Sequence, residues 1–131
     1  MQASISTVEA FDPPELRDPG SILKRVNDLY FHGVLRPRIT YGPRRRRKGQ
    51  PVGIVCGQYN CTTNTITLNR VLQDSRVPLW YVEWVVYHEL LHMIHGGPHT
   101  RAFREDEATH PDTKRAAKWE QSHLFAIYGG K

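Results

Sequence analysis

Cysteine is scarce in this chain: Cys56 and Cys61 are its two examples in 131 residues. So few cysteines exclude a disulfide framework, and one C-x4-C pair without a second argues against a zinc ribbon. Both are expected as free thiols in a reducing compartment. Long hydrophobic runs are missing as well. The longest apolar stretch, 77–86, is broken by Pro78 and Glu83 and falls short of the ~20 residues a membrane helix needs. The first nine residues are polar and mixed, with no apolar leader, so the expectation is a cytoplasmic protein with no membrane association. Internal repeats are absent, and low complexity is confined to one short basic run.

The composition that is present, 39% hydrophobic and 24% charged, describes a globular chain of one domain. The net charge is +5, and Arg44, Arg45, Arg46, Arg47 and Lys48 account for all of it: the other 13 lysines and arginines are matched by 13 acidic residues. The basicity is therefore a local patch. Such a patch suits phosphate backbones or acidic partners, and the competing reading is a solvated loop.

Residues 1–17, with Pro13 and Pro14 and no helical period, read as an extended N-terminal arm, and 18–131 as the domain. Asp18-Pro19 is a helix start, cap then first helical residue. Ile22, Val26, Leu29 and Tyr30 follow at helical spacing, and Gly33 is placed to end the helix. Strands are predicted over 38–42, 51–59 and 65–69, the last two joined as a hairpin by the polar residues 60–64. Pro78 is expected in the first turn of a helix running to about residue 95, where Gly96-Gly97-Pro98 stops it. That helix is apolar around most of its circumference, which places it at the centre of the core. Further helices are predicted over 99–108 and 112–125.

The central helix carries His88-Glu89-Leu90-Leu91-His92. Positions i and i+4 share a helix face, so His88 and His92 can bind one zinc ion, with Glu89 beside them as a base acting on water. Burying two imidazoles and a carboxylate without partners is costly, which favours a site over chance. The third ligand is open on spacing alone. His99 lies just past the chain reversal; Glu105, Glu107 and His110 are alternatives, and His95 stands ~10 Å along the axis from His88. Tyr59, Tyr87 and His95 are candidate donors to an oxyanion, and His95 could instead sit in the cleft or behind the ligands. Glu105, Asp106 and Glu107 are candidates to hold the second ring nitrogen of a ligand histidine. The hairpin could offer its backbone to an extended peptide. The metzincin pattern HExxHxxGxxH does not apply, since Gly96 and His99 each fall one residue late.

Taken in order, Leu29-Tyr30-Phe31-His32-Gly33, Pro37-Arg38-Ile39-Thr40-Tyr41, Ile66-Thr67-Leu68-Asn69, Val85-Val86-Tyr87-His88-Glu89-Leu90-Leu91-His92 and then His99 with Phe103 resemble the SprT-like zincin metallopeptidase domain over roughly residues 20–125. The resemblance implies an α+β minimal zincin-like fold: a small antiparallel or mixed sheet packed on the central HExxH helix, with flanking helices. It implies one Zn2+ per chain held by His88, His92 and His99, with Glu89 as catalytic base. The implied activity is a zinc-dependent endopeptidase acting on protein or peptide, including proteins associated with DNA. DNA would then be met by Arg44, Arg45, Arg46, Arg47 and Lys48, since no second cysteine pair builds a ribbon for that purpose. Two other readings compete: a zinc hydrolase of a non-protein amide, and a nucleic-acid-binding module with a structural zinc.

Overall fold

The computed structural model describes residues 14–43 and 54–129. Of the predicted arm, 1–13 lies outside the described residues, and Pro14–Arg17 forms a 3-10 turn. Helix α1, Pro19–Phe31, begins as its sequence dictates: the Asp18 carboxylate accepts from Ser21 N at 3.0 Å, and Pro19 opens the first turn. Its end uses two residues in place of the one expected. His32 takes the left-handed conformation (φ 57°), Gly33 follows at φ 69°, and the Gly33 N–H returns to Asn27 O at 2.9 Å. The buried Asn27 side chain then clamps Leu35 through both its amide atoms, aiming the chain into the sheet.

The sheet is mixed. Strands β1 (Arg38–Tyr41), β2 (Gly57–Asn60) and β3 (Thr65–Leu68) lie in the order β1-β3-β2, with β1 parallel and β2 antiparallel to β3. The hairpin is present, but its first strand is shorter than predicted: Ile54 makes an isolated bridge and regular pairing begins at Gly57. The Asn60 side chain accepts from Thr62 N and Thr63 N, and Asn64 supplies a left-handed residue (φ 53°), so polar side chains shape the turn. On β3, Ile66 and Leu68 are fully buried while Thr65 and Thr67 alternate with them.

Helix α2, Leu79–His95, packs between this sheet and α1 and forms the centre of the core. Tyr81, Val82, Val86 and Leu90 are fully buried along it. Pro78 sits one step earlier than predicted, at the N-cap, where its carbonyl accepts from Tyr81 N and Val82 N. A proline has no N–H to contribute to that first turn, so the position costs the helix nothing. Gly96 (φ 88°) ends α2.

Helix α3, Arg101–Thr109, starts two residues later than predicted because the Thr100 hydroxyl caps it by accepting from Phe103 N. That leaves His99 on the connecting segment. The predicted last helix is divided: α4 (Thr113–Trp119), a π-turn (Glu120–Leu124) and α5 (Phe125–Gly129). The result is a three-stranded mixed sheet against a central helix bearing His88, Glu89 and His92, flanked by other helices, as in a minimal zincin-like fold. Among the described residues, no helix is long and apolar enough to cross a membrane.

Candidate metal centre

One face of α2 presents Tyr81, Trp84, Val85, His88, Glu89 and His92, residues spaced three and four apart, to a cleft of about 720 Å³. Its opposite wall is β2 and the residues leading into it, and the chain reversal after Gly96 closes one end. Bends at Gly97 and Pro98, with the Thr100 N–H donating to the Pro98 carbonyl at 3.0 Å, bring His99 back over the helix.

His88, His92 and His99 converge there. Each offers one ring nitrogen, and these nitrogens all lie within 4.8 Å of one another. His88 and His92 have ring centroids 5.0 Å apart, and the His99 ring stands 5.1 and 5.0 Å from them. The Nε2 atoms of His92 and His99 are 3.3 Å apart. Nitrogens bound tetrahedrally to zinc at ~2.0–2.1 Å lie ~3.3 Å from each other, so the spacing of this pair fits the ion. Phe103, fully buried, packs its ring 5.0, 4.7 and 4.7 Å from the three imidazoles and fixes their planes.

The outer ring nitrogens are held as a metal site needs. His88 Nδ1–H donates to Glu107 Oε2 at 2.5 Å, and His92 Nδ1–H donates to the Gly96 carbonyl at 2.9 Å. Both bonds leave Nε2 as the bare nitrogen facing the cluster. Burial lowers the pKa of His92 and of His99, favouring the neutral, ligating form. For His88 burial acts in the same sense, but the Glu107 hydrogen bond and the charges of Glu89 and Glu107 outweigh it and the net shift is upward.

Glu89 is 4% exposed, lines the cleft and makes no hydrogen bond through its carboxylate among the described residues. Burial pushes its pKa up to about 7, against a smaller opposing pull from His88. The strand beside it approaches closely because residue 57 is glycine: a Cβ there would stand 3.1 Å from Glu89 Oε2. A carboxylate so desolvated and unpaired is poised to exchange a proton near neutrality.

The other sequence candidates divide between the cleft and its surroundings. Tyr59 lines the cleft, with its hydroxyl donating to Asn64 Oδ1 at 2.7 Å. Tyr87 is buried with its hydroxyl donating to the Asp106 carbonyl, its ring packed edge-on or tilted against Tyr30, Phe31 and His110. The His95 ring donates through Nε2 to Asp106 Oδ2 at 2.6 Å. Glu105 pairs with Arg101 at the surface, and His110 caps the end of α3 with Nδ1 accepting from Asp112 N. Of the alternatives for a third ligand, then, Glu107 is the one that touches the cluster, through His88. Arg44, Arg45, Arg46, Arg47 and Lys48 lie outside the described residues.

Two contributors to the cleft escape sequence reading. Gly57 has no motif around it. Glu120 falls inside what reads as an unbroken helix, yet it begins the π-turn and lines the cleft, accepting the hydroxyl of the fully buried Tyr81 at 2.6 Å. Cys56 Sγ lies 3.3 Å from the same hydroxyl, and burial pushes its thiol up to about 12, which makes it inert. Both cysteines are free. No family model matches this chain, and no curated protein does.

Proposed function

We propose that the protein is a zinc-dependent endopeptidase of the SprT-like kind, acting in the cytoplasm on protein substrates that include DNA-associated ones. The observation that carries this reading is the unpaired, buried Glu89 beside a cluster that has three members among the described residues. A structural zinc closes its shell with four protein ligands and has no use for a neighbouring base, whereas a hydrolytic site leaves one position open.

His88, His92 and His99 would hold the ion through the nitrogens that Glu107 and Gly96 leave bare on the first two. When bound, zinc supplies a Lewis acid and brings water towards ionisation at neutral pH. Glu89 accepts the proton of that water at its carboxylate as the oxygen attacks the carbonyl carbon, and delivers it to the departing amine nitrogen. Glu107 keeps the His88 ring in the ligating tautomer throughout. Strand β2 ends the strand order and lines the cleft, so an extended peptide laid along it would be held by main-chain hydrogen bonds. Of the candidate oxyanion donors, Tyr59 is the one on the cleft wall. The DNA-associated substrate rests on the family resemblance and on the basic residues at 44–48.

The test is cleavage of an unfolded protein by the zinc-loaded chain, with and without DNA, in wild type and Glu89→Gln. Loss of cleavage with zinc content retained supports the assignment. Equal cleavage by Glu89→Gln would remove Glu89 from the mechanism.

A further inference from the structure

The cleft continues past the metal centre. Along α2 its floor runs from His92 and His88 back to Tyr81, and the seven residues from His88 to Tyr81 span ~10 Å of helix. That is roughly three residues of extended peptide at ~3.3 Å each. At that end stands Glu120, fixed by the Tyr81 hydroxyl, with the π-turn taking residues 120–124 off the register of α4.

Among the described residues, three carboxylates line the cleft and no lysine or arginine does, although the chain as a whole carries +5. Glu107 is engaged with His88, and Glu89, 4% exposed and unpartnered, is aimed at the reacting centre. Glu120 is left. Its carboxylate makes one hydrogen bond among the described residues, to Tyr81, and burial raises its pKa. A half-buried carboxylate that no lysine or arginine pairs among the described residues is stabilised by a positive group that enters the cleft.

The geometry points to Glu120 as the specificity residue of a subsite that takes a lysine or arginine side chain of the peptide, within three residues of the scissile bond. The long stem of either side chain lies along the half-buried Trp84 while its charged head meets Glu120. This inference rests on the peptidase reading given above.

The experiment measures kcat/KM of the zinc-loaded full chain on two peptide sets, lysine or arginine scanned through three positions on each side of the bond, and norleucine in the same places. The basic peptides are cleaved faster, and the basic-to-norleucine ratio falls about tenfold in Glu120→Gln, which keeps an acceptor for Tyr81. In Glu120→Lys the preference moves to glutamate peptides. A ratio that Glu120→Gln leaves unchanged overturns the inference and leaves the peptidase reading standing. If no peptide is cleaved, fluorescence anisotropy with the same peptides decides: discrimination for the basic set that disappears in Glu120→Gln upholds the subsite without the peptidase, and equal binding of both sets overturns it.

Discussion

Gly57 on β2 packs directly against Glu89 on α2: a Cβ on the glycine would lie 3.1 Å from Oε2 and 3.2 Å from Cγ of the glutamate. The strand can come this near only without a side chain, and the nearness contributes to the burial of Glu89. Gly57→Ala is expected to push Glu89 and Val85 aside. The neighbours must give by a few tenths of an ångström, less than the ~1 Å displacement that costs about 100-fold at a catalytic group, so kcat/KM should fall by up to about tenfold while zinc stoichiometry is unchanged. Steady-state kinetics beside metal analysis checks this, and retained activity would show that Glu89 does not depend on the strand.

The ligand set predicts its own hierarchy of zinc affinities. His99→Ala removes a nitrogen and should cost most. Glu107→Ala removes only the acceptor of His88 Nδ1–H and should weaken zinc by about 10- to 100-fold. Glu105→Ala, two residues earlier on the same helix but paired with Arg101 at the surface, should leave affinity unchanged. Competition with a chromogenic chelator measures all three. Equal retention in wild type and His99→Ala would remove His99 from the ligand set.

Much of this was legible in the chain because it is local. Asp18-Pro19 announces α1, alternation announces β3, and the three- and four-residue apolar steps around His88 announce a buried α2. The histidines meet because Gly96-Gly97-Pro98 turns the chain back within a few residues of His92. What stayed hidden depends on distant pairings. The parallel match of Ile39 with Ile66 puts β1 beside β3, and nothing in either strand states that order. Glu120 meets Tyr81 across 39 residues. His95 shares a face with His92 by spacing, yet its ring goes to Asp106 once α3 folds back.

The basic run at 44–48 makes a prediction from charge alone. Each lysine or arginine that neutralises a phosphate of duplex DNA contributes ~0.9 to the slope of log affinity against log salt. Replacing Arg44, Arg45, Arg46 and Arg47 with serine should therefore weaken DNA binding and flatten the slope by roughly 3 to 4 if all four contact phosphate. Anisotropy titrations across a salt series measure it. An unchanged slope would assign the run to a solvated loop.

His110 gives the fold a predictable acid sensitivity. It is 6% exposed, its ring lies 4.7 Å from both Tyr30 and Tyr87, and its Nδ1 accepts from Asp112 N, a role open only to the neutral ring. Burial lowers its pKa, outweighing the charges of Asp112 and Glu83, which act upwards. The folded state therefore binds fewer protons at this site than the unfolded state, and stability rises with pH. The contribution is complete above the ordinary histidine value of 6.5 and is lost as pH falls from there through the folded value. His110→Asn keeps an acceptor for Asp112 N but cannot titrate. Urea midpoints from pH 8 to pH 5 at equal zinc load, read as wild type minus variant, cancel the linked titration of the zinc ligands. The difference should be largest in favour of wild type at pH 8 and shrink as the pH falls below 6.5. A difference that stays constant with pH would show that His110 serves through packing alone.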